Sequence, residues 1–289
     1  MGESKTELIL PRKDEKGYYI SYSQYTKWKE SKRKYIRRYF FGEKEDSGAY
    51  AEFGTKVGEA LEHNDFSGFS KEDQKFLKTI PRLDEFEREV DLYFDEGFRL
   101  MGYVDSNTSE YIPDHGCSYE AVKYLIDYKT GDIEDKKEFY ASEKYNQLKL
   151  YGEAIEQETG VYPYKLEVVL IGRKGNAFKG EPLELTREFI TIPQVIDEKE
   201  IEHIKKDVVK VAKEISEYYK LFLRLVWQYF YYICNYKYVV ADVIKYFLKP
   251  VDNKTATFDS AGLFFFFLQW MGQKFGSGYQ GMKMSMKLL

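Results

Sequence analysis

Cysteine is scarce in this sequence, and long hydrophobic runs are absent from it. The 289 residues include two cysteines, Cys117 and Cys234, too few for a disulfide framework or for a four-cysteine metal or iron–sulfur site. This cysteine usage fits a reducing cytosol. Residues 1–14 are charged and lack the apolar core of a signal peptide, and no uncharged apolar run reaches the roughly 18 residues of a membrane span. We therefore expect a cytoplasmic protein without a membrane span.

Charge and aromatic residues are unevenly distributed along the chain. The sequence carries 44 basic and 48 acidic side chains, a formal charge of −4, and 18% aromatic residues. After Lys220 there are eight basic and three acidic residues, so this part has a charge of +5 and the preceding part −9. Two aromatic runs, at 227–232 and 264–267, lie in the same part. We place a boundary near Leu225, which predicts a globular domain at 1–225 and an aromatic, basic C-terminal extension at 226–289.

The extension has three interpretations, which the sequence leaves open. It could be a membrane-surface or partner-binding appendage, an extra helical layer packed on the domain, or an artefact of gene assembly or reading frame. Its uncharged segment, residues 225–235, is bounded by Arg224 and Lys237 and is too short to span a bilayer alone.

The domain itself shows a mixed α and β pattern. Apolar residues at three- and four-residue steps predict helices, and short apolar runs bounded by turn residues predict strands. The predicted helices are 23–39, with Ser21 or Ser23 as N-cap, 50–62, 140–158 and 198–222. The predicted strands are 88–93 and 98–104, joined by a hairpin turn at Asp95-Glu96-Gly97, then 121–128 and 166–171.

Two carboxylates and a lysine stand at the ends of two of these strands. Asp127 and Lys129 are two residues apart, so they project from one face, and Tyr128 points the other way. Asp105 joins them if the two strands are neighbours. Mg²⁺ prefers oxygen ligands and typically takes one or two carboxylates, while a nearby lysine can orient water or stabilise charge on a phosphate. For a lone Asp-x-Lys, a surface salt bridge is the more ordinary interpretation.

The surrounding motifs favour the chemical interpretation. In chain order they are Gly102-x-x-Asp105, Asp127-Tyr128-Lys129-Thr130-Gly131 and Gln147-x-x-x-Tyr151. In this order and spacing they resemble the PD-(D/E)XK nuclease superfamily, in its RecB-like, phage-type exonuclease branch without an iron–sulfur cluster. The serine-rich segment 21–25 and the segment 53–62 resemble the opening and the first core helix of that branch. The resemblance covers roughly residues 21–222.

The resemblance implies an α/β, restriction-endonuclease-like fold, with a central mixed sheet flanked by helices. It also implies Mg²⁺- or Mn²⁺-dependent hydrolysis of DNA phosphodiester bonds. Asp105, Asp127 and the Tyr128 carbonyl would be metal ligands, and Lys129 the catalytic lysine. Gln147 and Tyr151 would border the active site on one helix face.

The sequence departs from the family pattern at two points. Many relatives carry a histidine ligand at the position of Gly58, which cannot bind metal. Glu62, one helical turn further on, is our choice for a replacement carboxylate, with Glu59 as the alternative and His63 as a surface residue. The cysteines of the iron–sulfur members have no counterpart here, so no cluster is expected.

Nucleic-acid contacts are predicted from a local concentration of charge. Residues 27–38 hold seven basic side chains with aromatic residues between them, a pattern that suits phosphates and unpaired bases. The predicted nucleic-acid-binding residues are Ser23, Lys27, Trp28, Arg33, Arg37 and Arg173. Nothing indicates base-specific recognition, so we expect backbone contacts with single- or double-stranded DNA.

Taken together, these patterns predict an exonuclease-like, metal-dependent DNA nuclease of recombination, repair or phage DNA metabolism. Its place would be the cytosol of a bacterium or of a phage-infected host, and a recombinase, helicase or single-strand-binding protein would be a partner. The alternative is a catalytically inactive nucleic-acid-binding module with the same fold, which Gly58 favours. A membrane-associated or structural protein, centred on the aromatic extension, is the third hypothesis.

Overall fold

Strands between residues 13 and 193 form one mixed sheet. The computed structural model describes residues 8–43, 48–114 and 117–235, and within these ranges seven strands make up the sheet. The strands are β1 (Lys13–Asp14), β2 (Gly17–Ser21), β3 (Glu85–Phe94), β4 (Phe98–Asp114), β5 (Cys117–Gly131), β6 (Lys165–Lys174) and β7 (Glu184–Pro193). Their order is β1-β2-β4-β5-β6-β7, and β3 pairs with β4 outside this order. The β2–β4 and β5–β6 pairs are parallel, and the others are antiparallel.

Helices precede, separate and follow these strands along the chain. They are α1 (Tyr22–Glu30), α2 (Lys32–Tyr39), α3 (Gly48–Glu62), α4 (Lys71–Leu77), α5 (Ile133–Ala141), α6 (Gln147–Thr159) and α7 (Glu198–Asn235), with a short 3-10 turn at Ala177–Lys179. The predicted α/β class, a central mixed sheet flanked by helices, is confirmed, and it is consistent with a restriction-endonuclease-like fold.

The alternation of side chains along β5 separates two layers of helices. Ile126 belongs to a buried apolar cluster with Leu61 of α3 and Leu77 of α4. Because successive side chains of a strand point to opposite faces, Asp127 projects away from that cluster. On its side Asp127 meets the segment that leads into α6, since the Tyr145 hydroxyl bonds to its carboxylate. Asp127 and Lys129 therefore lie on the face of β5 toward α6, and Ile126 lies on the face toward α3 and α4.

The described chain divides into two compact units. The first contains residues 8–26 and 48–213, with the whole sheet, and the second contains residues 27–43 and 214–235. The core of the second unit is aromatic, with Trp28 against Tyr35 and Tyr218, and Phe40 against Tyr219 and Phe222. The boundary that we predicted near residue 225 falls within α7. Residues 236–289 of the predicted extension lie outside the described residues, so this division stays a prediction.

The turns and the helix cap predicted from the sequence are confirmed, whereas two of the predicted helices have wrong bounds. Gly97 closes the predicted hairpin with a φ of 83°, and Gly160 ends α6 with a φ of 77°. Ser21 is the cap of α1, where its hydroxyl accepts a hydrogen bond from the Gln24 N–H at 3.3 Å. The single helix predicted at 23–39 is wrong, because Ser31 caps a new helix, α2. The helix predicted at 140–158 begins too early, because residues 140–141 end α5 and α6 begins only at Gln147.

Candidate active site

Strand β4 changes its neighbour in the middle of its length, and this opens a gap in the sheet. Along one edge β4 pairs with β2 as far as Met101, and with β5 only from Ser106 onward. Within the part of the chain that the structure describes, residues 102–105 have no paired strand on this edge. In a continuous sheet, the groups of β4 along this edge would bond to a neighbouring strand. Here they can bond to side chains or to a ligand instead.

Asp105 lies at the end of this gap and reaches across it. On the opposite edge of β4, the β3 residue Glu87, between the paired Phe86 and Arg88, has a φ of 51°. Positive φ is uncommon outside glycine, so the regular ladder is interrupted beside Asp105. The Asp105 carboxylate turns toward β5, where Oδ2 accepts a hydrogen bond from the Tyr128 N–H at 2.7 Å.

The structure brings Asp127 and Lys129 together next to Asp105. Both residues are on β5, and the Lys129 Nζ lies 2.6 Å from the Asp127 Oδ2. Tyr128 between them points to the opposite face, as its position in the strand predicts, and its hydroxyl donates to the Pro81 carbonyl at 2.8 Å. The Tyr128 N–H is directed to Asp105, while the role of its carbonyl as a ligand stays a prediction. Two carboxylates and one ammonium group thus meet at the gap.

The two oxygens of Asp127 have different surroundings. Its side chain is 2% exposed, and Oδ2 receives both the Lys129 ammonium and the Tyr145 hydroxyl, the latter at 2.7 Å. Oδ1 is buried and has no hydrogen-bond partner among the described residues. A buried carboxylate oxygen without a partner is strongly unfavourable unless a cation or water meets it. This orphaned oxygen, beside a second carboxylate, fits the ligand set that Mg²⁺ or Mn²⁺ requires.

The charges of the cluster shift the pKa values of its members. Burial and the charge of Asp127 raise the pKa of Asp105 to about 7, although Lys129 and the Tyr128 N–H act in the opposite direction. Burial lowers the pKa of Lys129, but the charges of Asp127 and Asp105 outweigh it and raise this pKa overall. Lys129 is therefore an ammonium group. The negative charge of Asp127 disfavours ionisation of Asp105, and a divalent cation bound between them would offset that repulsion.

Four tyrosines surround the Asp127–Lys129 pair, and sequence reasoning identified one of them. Tyr151 was predicted, whereas Tyr22, Tyr140 and Tyr145 were missed. The charge of Asp127 acts on all four hydroxyls, and burial raises the pKa of each, so they stay protonated. Only the position of Tyr22 in the serine-rich segment offered a signal in the sequence; Tyr140 and Tyr145 belong to no motif.

Gln147 and Tyr151 lie together on α6, and a glycine makes room for them. The Gln147 Nε2 donates to the Tyr151 hydroxyl at 3.3 Å, and Tyr151 is buried. A Cβ atom at Gly102 would overlap the Tyr151 ring and hydroxyl. The glycine of the Gly-x-x-Asp motif therefore allows the tyrosine of the Gln-x-x-x-Tyr motif to lie directly on β4, next to Asp105.

Gly102→Ala is expected to destabilise the protein, because the new methyl group displaces Tyr151 from β4. Overpacking of this kind costs about 1–3 kcal/mol of unfolding free energy, measurable by urea denaturation. Gly58→Ala is the matched control, since a Cβ there meets nothing within 4 Å and α3 would gain helix propensity of roughly 0.5–1 kcal/mol. Equal changes of unfolding free energy for the two substitutions would contradict the close approach of Tyr151 to Gly102.

The structure does not bring Glu62 to the two aspartates, which corrects our choice of helix carboxylate. Glu62 lies on α3, the helix that packs on the Ile126 face of β5, whereas Asp127 projects from the other face. Its carboxylate lies 3.6 Å from the ring of the exposed His63. Among the described residues, no three His, Cys, Asp or Glu side chains form a group that could hold a metal. A periodicity argument places Glu62 on a helix face but cannot say which face of the sheet that helix covers.

Trp28 is not available to stack on a base, contrary to our prediction. It is 1% exposed and lies in the aromatic core of the second unit, against Tyr35 and Tyr218. Its ring nitrogen donates to Glu214 at 3.1 Å. An aromatic residue between basic ones on a short helix is buried here because the helix needs an apolar side to pack.

The other predicted nucleic-acid residues have different surroundings. Arg33 and Arg37 are exposed on α2, and Arg37 pairs with Glu43 at 2.6 Å. Lys27 is half-buried, and Ser23 is exposed, with its hydroxyl 2.9 Å from that of Ser21.

Arg173 is not a free surface cation. Its guanidinium stacks on the Tyr50 ring at 4.2 Å. Its Nε and Nη1 are buried without hydrogen-bond partners in the described ranges.

Comparison with known proteins identifies no family for this sequence. The sequence matches no protein-family model and no curated protein. Within residues 8–43, 48–114 and 117–235, no helix has the length and apolar character needed to cross a membrane.

Proposed function

We propose that this protein is a metal-dependent DNA nuclease that hydrolyses phosphodiester bonds, with exonuclease-like action in recombination, repair or phage DNA metabolism. The observation that carries the proposal is the meeting of Asp105, Asp127 and Lys129 at the gap in the sheet, with one Asp127 oxygen buried and unpartnered. The motif resemblance to PD-(D/E)XK nucleases supports the same assignment.

The proposed chemistry divides the work among these side chains. Asp105 and Asp127 would hold Mg²⁺ or Mn²⁺, and the bound cation would supply a water of lowered pKa and charge neutralisation for the phosphodiester. Lys129, held on the Asp127 Oδ2 and 27% exposed, can turn its ammonium group toward the attacking water or the phosphate oxygens. A positive charge fixed there stabilises the negative charge that develops on phosphorus-bound oxygens.

Cleavage of end-labelled linear DNA tests the proposal. We expect cleavage in Mg²⁺ or Mn²⁺ and none after chelation with EDTA. Closed circular DNA should resist cleavage if the enzyme acts from ends. Cleavage that persists in EDTA would contradict the proposed metal dependence. Rapid cleavage of closed circular DNA would show that the enzyme cuts at internal positions and would contradict exonuclease-like action.

A catalytically inactive binding module is the second candidate, and one observation favours it. No third carboxylate or histidine joins Asp105 and Asp127 among the described residues, whereas many relatives use a histidine at the position of Gly58. DNA binding that is insensitive to EDTA, with no cleavage in either Mg²⁺ or Mn²⁺, would select this candidate.

Both candidates predict electrostatic contacts from α2. Arg33→Gln removes an exposed cation from that helix, so the slope of log affinity for DNA against log salt should fall by about 1. Lys71→Gln, which removes an exposed cation of α4, is the control. A slope unchanged by Arg33→Gln would exclude this residue from the phosphate contacts.

A further inference from the structure

One oxygen of Asp127 is held by two groups, of which only Lys129 belongs to a recognised motif. The second group is the Tyr145 hydroxyl, which donates to Oδ2 at 2.7 Å, while Lys129 Nζ lies 2.6 Å from the same oxygen. Oδ1 is left as the buried, unpartnered oxygen. The carboxylate is thus fixed with one oxygen engaged and the other presented.

The Tyr145 ring is itself held on several sides. It is 3% exposed and packs edge-on against Tyr140, with ring centroids 5.1 Å apart. The Tyr145 N–H donates to the Ser142 carbonyl at 3.1 Å, and the next residue, Asn146, donates its N–H to the Tyr22 hydroxyl at 3.2 Å. The side chain is therefore fixed where its hydroxyl donates to the Asp127 carboxylate.

We propose that Tyr145 is a positioning residue that orients Asp127 for binding of the divalent cation. This inference rests on the proposed function. A carboxylate can rotate about its Cβ–Cγ bond, and Lys129 is a single charge on a flexible stem that also serves the substrate. The rigid Tyr145 ring supplies the second contact that fixes the rotation, so that Oδ1 stays directed at the cation. Groups that hold metal ligands in this way contribute strongly to metal affinity.

Binding of Mn²⁺ to the protein without DNA is the direct test. Titration of free Mn²⁺ by electron paramagnetic resonance should show about 10–100-fold weaker binding by Tyr145→Phe than by the unaltered protein. DNA cleavage should require correspondingly more Mn²⁺ and should recover largely at saturation. A merely structural role would lower stability and the maximal rate without changing the Mn²⁺ requirement.

Tyr140→Phe is the matched control, because it removes a hydroxyl from the same aromatic cluster. Within the described residues, the Tyr140 hydroxyl makes no hydrogen bond to Asp127, so Mn²⁺ affinity should change less than threefold, on the order of 0.6 kcal/mol. If Tyr145→Phe is too unstable for titration, the rise in its melting temperature on addition of Mn²⁺ reports the same affinity.

Asp127→Asn separates failure of this inference from failure of the proposed function. If Asp127→Asn removes Mn²⁺ binding and Tyr145→Phe leaves it unchanged, the positioning role is refuted while the metal site stands. If Asp127→Asn binds Mn²⁺ as the unaltered protein does, the metal site itself is refuted, and the role of Tyr145 with it.

Discussion

Replacing Lys129 with methionine is expected to slow DNA cleavage about 10²–10⁴-fold at saturating Mn²⁺, because the substitution removes the charge that serves the water and the phosphate. Methionine keeps most of the apolar stem, which limits the change in packing. The bound cation would compensate the charge of Asp127 after its ammonium partner is lost. Single-turnover cleavage of end-labelled DNA measures the effect, and Mn²⁺ titration without DNA checks that the metal site is retained.

Lys137→Met provides the control for this experiment. Lys137 lies on α5 and pairs with the exposed Glu134 at 2.5 Å, outside the Asp105–Asp127 cluster. Its removal should leave the cleavage rate within about twofold, since surface ion pairs contribute little. Cleavage by Lys129→Met at the rate of the unaltered protein would eliminate the proposed catalytic role of the lysine.

Arg99→Met is expected to lower the free energy of unfolding by about 1.5–3 kcal/mol, because it removes the charge-assisted hydrogen bonds of a buried cation. Arg99 is a buried residue of β4. Its Nε donates to Asp91 at 2.6 Å, and its Nη1 donates to the Gly17 carbonyl at 3.3 Å. Asp14 accepts a further bond from Nη2. This single side chain thus ties β1, β2 and β3 to β4, and urea denaturation followed by circular dichroism measures its contribution.

Lys16→Met tests whether the loss of stability expected for Arg99→Met depends on burial of the cation. Lys16 reaches the same Asp91 at 2.8 Å, but its side chain is 44% exposed, so its loss should lower stability much less than the loss of Arg99 does. The Arg99 hydrogen bond also lowers the pKa of Asp14, so the stability from this contact is present above the ordinary aspartate pKa and is lost as the pH falls through the lowered value. Similar losses of unfolding free energy in Arg99→Met and Lys16→Met would show that burial of Arg99 does not increase its contribution to stability.

The central part of the candidate site was predictable because a strand has a short and strict period. Asp127 and Lys129 share a face and Tyr128 takes the other, as alternation requires, and Tyr128 bonds to Pro81 on its own side. The meeting with Asp105 needed a further assumption, that the two strands are neighbours. That assumption came from the motif order rather than from the local pattern.

The errors arose where a residue's role depends on what its element packs against. Glu62 has the helical spacing of a ligand, but α3 covers the Ile126 face of β5. Trp28 has the basic neighbours of a base-stacking residue, but it fills the core of the second unit. Tyr145 has no motif at all, and yet its hydroxyl reaches Asp127. None of these outcomes is encoded in the spacing of nearby residues.

The sequence by itself determined the elements whose causes are local: the hairpin at Gly97, the end of α6 at Gly160, and the common face of Asp127 and Lys129. These features follow from backbone conformations and side-chain periods that a few adjacent residues impose. Only the tertiary structure decided that β4 exchanges β2 for β5 beside Asp105, and that Tyr145 holds the Asp127 carboxylate. Such contacts join residues far apart in the chain, and their partners are selected by the burial of whole surfaces rather than by any short stretch of residues.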